Sequence, residues 1–398
     1  MDNLNKILIR GVENIYPSKE SLEKILLSGK KLRIYHGIDP TGKLHLGHMV
    51  VLKKLRQFQD LGHEIIILIG DFTARIGDPT DKLSTRKKLT KEQVEKNAAD
   101  YKKIIGKILD LGKSNIRFLH NEQWSNKLIP EDMLELASQF TVSQLLERDM
   151  FQERIKEGKE IYVHEFLYPI FQAYDSVTMD VDMEIGGNDQ TFNMLAGRTL
   201  MRKLKNKEKF VLTTKLLTDP TGKKMGKTEG NIIALDASPI EIFGQIMRWP
   251  DEIMELAFTL LTDLSQEEID GIVEILKSGT ENPMNLKKRL AREIVKALYS
   301  EEEAQRAEEE FEKVVQKKEL PTEIDIIHFP PSVHSLSAID ILVDGELAES
   351  RSEAKRLIEQ GGVEIGDQKI TDPQTEIEIK DDIIIRAGKR KFAKIKKV

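Results

Sequence analysis

Three short apolar runs, separated by segments of helical periodicity, constrain this chain more than any other feature. KLRIYHGI (31–38) and EIIILIGD (64–71) read as buried strands, and IRFLHN (116–121) as a third strand. Between them lie LGHMVVLKKLRQFQDLG (46–62), closed by a glycine, and TKEQVEKNAADYKKIIGKILDLG (90–112), each long enough for a crossover helix. Strand, helix, strand in this rhythm builds βαβ units, so the N-terminal part is expected to be α/β with a Rossmann-like parallel sheet. Such a sheet takes its ligands at the carboxyl ends of its strands, which directs attention to the residues after Ile34, Leu68 and Leu119.

From about Ala237 charge-rich helical patterns take over, with capping signals such as Ser265 followed by Glu268. ELPTEIDIIHFPPSVHSLS (319–337) then carries three prolines and little periodicity, the composition of a linker. The last stretch combines the helix-like LSAIDILVDG and SRSEAKRLIEQGG with short alternating strands around Val363–Ile365, Ile377–Ile379 and Ile383–Arg386. The expected division is therefore 1–236, a Rossmann-like domain; 237–320, helical; 321–335, linker; and 336–398, a small α+β domain. The absence of cysteine excludes disulfides, thiolate metal sites and cysteine nucleophiles, and fits a cytoplasmic location. The longest apolar stretch, Ile65–Ile69, is far short of the ~20 residues of a membrane helix, and MDNLNKILIR has no signal-like apolar core, so no membrane partner is expected. A formal net charge of −6 argues against a general nucleic-acid coat while leaving room for local basic faces, such as the acid-free end from Arg386.

Gly37 to Leu44 (GIDPTGKL) nearly matches a P-loop, but Leu44 stands where a magnesium-binding hydroxyl is needed and Pro40 removes an N–H, so that reading fails. DPTGK recurs at 219–223, a coincidence of turn-forming residues rather than a repeat. His45-Leu46-Gly47-His48 opens a helix. Residues i and i+3 share a face, and a helix N-terminus offers N–H groups and partial positive charge to phosphate. Gly47 allows a flat ligand close to the backbone. A metal site finds no third local ligand. Lys223-Lys224-Met225-Gly226-Lys227-Thr228, flanked by Gly222 and Gly230, is a cationic loop suited to polyphosphate. Either motif alone is more often a solvated helix turn or loop; the pair is informative.

HLGH and KMGKT together resemble the HIGH and KMSKS signatures of class I aminoacyl-tRNA synthetases. The likeness extends through YHGIDPTGKLHLGH (35–48), IGDPTDK (76–82), YPIFQAYD (168–175), GGNDQ (186–190) and KKMGKT (223–228), and is nearest to the bacterial-type tyrosyl-tRNA synthetases. SRSEAKRLIEQGGV (350–363) resembles the S4 RNA-binding domain. Gly226 departs from the serine of the general signature. The resemblance implies tyrosine–tRNA ligase activity: ATP as substrate with Mg2+ carried on it, no tightly held protein metal, L-tyrosine and tRNA(Tyr) as partners, and a homodimer. It implies that residues 1–236 form the catalytic domain, 237–320 the anticodon-side helical domain and 336–398 an S4-like domain.

By the same resemblance, His45, His48 and Thr41 act on the phosphates, Lys224 and Lys227 on the departing pyrophosphate, with Lys82 and Arg86 assisting. Tyr35 and Asp175 are expected at the substrate phenol and Asp78, Tyr168 and Gln172 at its ammonium group, with Asn121 and Gln190 lining the pocket. Tyr168, Gln172 and Asp175 recur at i, i+4 and i+7, one face of a helix. Gly37, Asp39, Gly47, Gly187 and Asp189 match the adenylate site, together with His45, His48 and Lys227. Arg351, Lys355 and Arg356 are the expected RNA contacts. The rivals are a tryptophanyl-tRNA synthetase of the same fold and a non-catalytic RNA-binding relative. The phenol pair disfavours the first, and the intact signatures disfavour the second.

Overall fold

The computed structural model describes residues 2–78, 90–225, 232–316, 320, 324–366, 368–388 and 391–398. The chain divides into two compact units, 1–301 and 302–398.

In the first unit β1 (Val12–Tyr16), β2 (Arg33–Ile38), β3 (Glu64–Ile69), β4 (Ile116–His120), β5 (Met183–Gly187) and β6 (Phe210–Thr214) form a sheet ordered β1-β6-β5-β2-β3-β4. β1 is antiparallel to β6 and every other neighbouring pair is parallel. Residues Ile65–Ile69 are all buried, the continuous apolar run of a strand covered on both faces. The chain builds β2, β3 and β4 in one direction and then returns to lay β5 and β6 on the other side of β2. The switch point thus falls between β2 and β5, where open α/β sheets form their ligand crevice. There the two strands pair only at Ile34–Met183 and Tyr35–Glu184, whereas β2 and β3 stay in register from Arg33–Glu64 to Ile38–Ile69. The His36 ring spans the opening, its Nδ1 2.9 Å from the Ile185 carbonyl oxygen. Burial pulls its pKa down to about 4, so the neutral ring donates Nδ1–H to that oxygen.

α1 (Leu46–Asp60) turns Met49, Leu52, Leu55 and Phe58 inward, while α2 (Val163–Thr178) and α3 (Thr191–Lys205) pack against each other. The single helix expected over 90–112 is two, Lys91–Ala99 and Tyr101–Ile105. The first is polar on most sides, whereas Tyr101, Ile104 and Ile105 are buried and the Tyr101 hydroxyl donates to the Gly42 carbonyl, so the backbone turns at Asp100 to serve both environments. Helices α4 (Pro239–Ile246), α5 (Met254–Leu261), α6 (Gln266–Ser278) and α7 (Pro283–Leu298) follow. The boundary expected at 236/237 lies inside this unit. α5 packs on α1, the Arg10 guanidinium donates to the carbonyls of Thr259 at 2.9 Å and Thr262 at 2.9 Å, and the Tyr299 hydroxyl donates to the Ala237 carbonyl at 2.5 Å.

The second unit holds β7 (Asp325–Phe329), β8 (Ser335–Ser337), α8 (Ala338–Asp344), α9 (Arg351–Glu359), β9 (Val363–Ile365), β10 (Gln368–Ile370), β11 (Glu376–Glu378), β12 (Ile384–Ala387) and β13 (Lys391–Lys397). Its main sheet runs β10-β9-β12-β13-β7, beside the pair β11-β8. Residues 321–335, expected to be linker, therefore contain a strand: β7 lies parallel to β13, with Ile327 and Phe329 in the core. The cationic end is likewise a strand, with Phe392, Ala393 and Ile395 buried and Lys394 held 2.6 Å from Asp382. On α9, Ala354 and Ile358 face the core and Arg351, Lys355 and Arg356 are exposed.

Candidate active site

The strands β2, β3, β4 and β5, with the turns past them and α2, gather many of the expected residues of the first unit into several separate hydrogen-bonded groups. Asp39, just past β2, accepts from Thr73 Oγ1 at 2.7 Å on one oxygen and from the Tyr168 hydroxyl at 2.9 Å on the other. A side chain at Gly70, just past β3, would overlap the Asp39 carboxylate and Thr73, so the turn there needs glycine. Asn121, just past β4, donates to Thr73 Oγ1 at 3.1 Å and to Asp175 at 3.2 Å, and Trp124 Nε1 donates to the other Asp175 oxygen at 2.7 Å. Asp78 accepts from Arg148 at 3.1 Å and from Gln190 at 2.7 Å. Gln172 donates to Glu184 at 3.0 Å, while the Tyr35 hydroxyl lies 3.0 Å from Ser176 Oγ and makes no hydrogen bond with Asp175. Tyr168, Gln172 and Asp175 all sit on α2, and each is tied to a polar group of the sheet side of the site.

Burial pushes the Asp175 carboxyl up to about 8, against the lowering effect of its Trp124 and Asn121 donors. Folded chain therefore holds a proton there that unfolded chain releases at ordinary carboxylate pH. This contribution to stability is complete below the ordinary aspartate range and is lost as pH rises toward about 8. Asp175→Asn is expected to remove this dependence. Between pH 5 and about 8.5 the melting temperature of wild type should fall more than that of the variant. Parallel pH curves for the two proteins would contradict this assignment.

His45 and His48 meet differently from two residues on one helix face. His45 is the N-cap of α1 with an extended backbone; its Nδ1 accepts from Gly47 N at 3.1 Å, and its own N–H reaches His48 Nδ1 at 3.1 Å. The rings are 4.1 Å apart. Since each Nδ1 accepts a backbone N–H, each neutral ring carries its proton on Nε2, the atom able to donate to a phosphate oxygen. A Cβ on Gly47 would lie 2.9 Å from the His45 ring and 3.9 Å from the Met225 carbonyl, which places Met225, in the described start of the second signature, beside the first. The chain leaving that signature is stitched to the same turn, with Leu46 N bonded to the Ile233 carbonyl at 3.1 Å and Leu235 N to the Leu44 carbonyl at 2.9 Å. Lys224 Nζ sits 2.6 Å from Asp189. The second DPTGK is a hairpin turn held by Asp219, which accepts from Thr221 N at 2.9 Å and Lys223 N at 3.0 Å. Gly37 is exposed, and a Cβ there would meet no atom within 4 Å; a Cβ on Gly187 would lie 2.5 Å from Asp189. Thr41 follows β2 with its N–H on the Asp39 carbonyl at 2.8 Å. Lys82, Arg86 and Lys227 lie outside the described residues.

Residues 27–316 match the family model of the class I tRNA synthetases for W and Y. The chain belongs to this family. The synthetase continues, over residues 322–395, into a match to the C-terminal domain of SYY-like tyrosine–tRNA ligases. It is 45% identical over 395 residues to the tyrosine–tRNA ligase of Dehalococcoides mccartyi, covering 99% of this chain and 98% of the relative. It is 44% identical over 392 residues to that of Thermotoga maritima, covering 98% and 96%. Among solved structures, the tyrosyl-tRNA synthetase of Archaeoglobus fulgidus complexed with L-tyrosine shares its fold, with a TM-score of 0.61, 23% identity, and 77% of this chain covered against 99% of that one. A C-terminally truncated mitochondrial tyrosyl-tRNA synthetase of Aspergillus nidulans matches with a TM-score of 0.63, 24% identity, and 77% and 92% covered.

Sequence reasoning passed over Thr73, Trp124, Arg148, Ser176, Glu184 and Lys209. Trp124 follows a strand end, where the crevice rule could have found it. Glu184 lies within β5 and Lys209 ends the charged run that leads into β6, and their pairing stands out only once both strands are seen together.

Proposed function

We infer that this class I synthetase is a tyrosine–tRNA ligase. It joins tyrosine to the α-phosphate of ATP, releasing pyrophosphate, and then transfers the tyrosyl group to the 3′-terminal ribose of tRNA. The observation that carries this is full-length similarity to tyrosine–tRNA ligases, in a chain whose HLGH turn follows the switch-point strand β2 with Met225 beside it. No covalent enzyme intermediate is required, so positioning and charge stabilisation do the work. In this reading the Nε2–H groups of His45 and His48, with Thr41, meet the phosphates, and Lys224 and Lys227 neutralise the pyrophosphate, with Lys82 and Arg86 alongside. Lys224 exchanges its Asp189 partner for phosphate, which frees that carboxylate for a ribose hydroxyl. Gly37, Gly47 and Gly187 let the adenylate lie close to the backbone, beside Asp39. Magnesium arrives on the ATP phosphates. Tyr35 and Asp175 take the phenol, while Asp78, Tyr168 and Gln172 take the ammonium group beside Asn121 and Gln190.

Tyr35→Phe or Asp175→Asn is expected to lower the preference for tyrosine over phenylalanine by roughly five- to a hundredfold, the effect of one unpaired polar group in a buried site at about 1–3 kcal/mol. Wild-type discrimination in both variants would move the pocket elsewhere. Exchange of pyrophosphate into ATP, measured with each of the twenty amino acids, tests the reading as a whole. Tyrosine alone should support it; tryptophan dependence would favour the rival synthetase, and no exchange beside tight RNA binding the non-catalytic one.

The reading includes division into the catalytic, helical and S4-like parts set out above, a cytoplasmic location and a homodimer. Among the described residues no helix is long and apolar enough to cross a membrane. Ile129, Leu134, Val142 and Val163 are large apolar side chains left exposed within one segment of the catalytic unit, which supports a second copy as their cover. Sedimentation of the full chain as a monomer would remove the dimer.

A further inference from the structure

Lys209 is a lysine with no exposed surface, set at the entrance of β6. Its ammonium donates to three acceptors: Ser176 Oγ at 2.9 Å, the Met194 carbonyl at 3.2 Å and the Glu184 carboxylate. The packing leaves room for nothing else, since a Cβ on Gly197 would overlap Lys209 Nζ and lie 2.7 Å from Ser176 Oγ. Two arms leave this charge. One runs through Ser176 to the Tyr35 hydroxyl, and the other through Glu184 to Gln172. Both end on residues assigned above to the tyrosine pocket, and the inference rests on that assignment.

We propose that Lys209 is a positioning residue for the amino-acid site, whose ammonium sets the direction of the chain Lys209 to Ser176 to Tyr35 so that the Tyr35 hydroxyl offers its proton to the substrate phenol. An ammonium has three protons and no lone pair, so it can only donate. Ser176 Oγ, once it accepts that bond, has one proton of its own to place. Among the described residues its only other hydrogen-bond partner is the Tyr35 oxygen, 3.0 Å away. Were the tyrosine to donate to the serine instead, the serine would accept twice and its buried proton would have no acceptor, the costly arrangement. The serine therefore donates to Tyr35, and the Tyr35 proton is turned away from the serine, where the Glu184 carboxylate attracts it until a substrate phenol takes it. Burial, then the charges of Glu184 and Asp175, hold the Tyr35 phenol well above its ordinary pKa, so it keeps that proton. The same ammonium fixes Glu184, which in turn holds the Gln172 amide at 3.0 Å. A lysine buried purely for packing would need neither arm to end at the substrate.

The test is pyrophosphate exchange by the full-length enzyme with tyrosine and with phenylalanine. Ser176→Ala cuts the chain and leaves the Lys209–Glu184 pair in place. It is expected to raise the KM for tyrosine about tenfold and to lower the tyrosine-to-phenylalanine ratio of kcat/KM by about the same factor, with the KM for ATP little changed. Ser176→Thr, which keeps a hydroxyl, should recover most of the ratio. Because Lys209→Met alone strands a buried carboxylate, the charge is removed as Lys209→Gln with Glu184→Gln, and this pair should also lower the ratio. In a Tyr35→Phe background Ser176→Ala should add nothing, since the chain then has no end. A ratio within about twofold of wild type in both Ser176→Ala and the paired variant, or losses that add fully to that of Tyr35→Phe, overturns the proposal. Failure of the functional reading itself would look different: wild type would show no tyrosine-dependent exchange at all.

Discussion

His48→Ala is expected to slow single-turnover formation of tyrosyl-adenylate by roughly 10²–10³, the usual loss when one preorganised donor to developing charge is removed. The affinity for tyrosine, measured without ATP, should stay within about twofold, because the imidazole acts on phosphate and not on the amino acid. The structure adds a second consequence. His48 Nδ1 accepts the His45 backbone N–H at 3.1 Å, so the alanine variant also loses part of the cap of α1, typically worth ~0.5–2 kcal/mol. The two effects separate cleanly. A cap defect lowers the melting temperature, whereas loss of the Nε2–H donor changes only the chemical step. His48→Gln retains an N–H of similar reach and should return part of the rate. If His48→Ala weakens tyrosine binding while bound substrate reacts at the wild-type rate, the ring belongs to the amino-acid site and the phosphate assignment falls.

Which parts of this site could be read in the chain follows from how local their cause is. β3 is legible as a continuous apolar run and β2 and β4 as short runs rich in apolar residues between helical segments, and their parallel order follows from those helices. The histidine pair was legible as a signature; its geometry was not, since the capping exchange between His45 and His48 depends on an extended φ at His45. Helix 90–112 was misjudged as one piece because periodicity reports which residues are apolar and not where the Gly42 carbonyl will pull Tyr101. β7 was hidden for another reason. It is a short run beside prolines, and what makes it a strand is parallel pairing with β13, more than sixty residues later. The Lys209–Glu184 pair is hidden in the same way: opposite charges 25 residues apart become neighbours only when β5 and β6 align.

Removal of residues 317–398 is expected to separate the two half-reactions. The cut belongs after Gln316, where the match to the synthetase family model ends. A cut after Phe329 would leave β7 without β13 and expose Ile327 and Phe329. Tyrosine-dependent pyrophosphate exchange should stay within about threefold of wild type, since every described residue assigned to tyrosine and ATP lies in the first unit. Charging of tRNA should fall steeply, and the size of the fall should depend on salt. With Arg351, Lys355 and Arg356 each on one phosphate, the second unit contributes a slope of about −2 to −3 in log affinity against log salt. Its advantage should then shrink roughly fifteen- to sixtyfold between 50 and 200 mM salt. The three side chains do not start equal. Arg351 is held by Asp340 and Lys355 lies 3.7 Å from Glu359, so each exchanges a carboxylate for a phosphate. Among the described residues Arg356 has no ion pair to give up. Arg356→Ala in the full chain should therefore take the largest single share of the affinity, and the salt slope should fall by about one with each of the three removed. A truncated enzyme that charges tRNA at the full-length rate across the salt series would strip the second unit of its RNA role. Equal slopes for wild type and the triple variant would move that role away from α9 to other residues of the unit, with the lysines of β13 the next to be replaced.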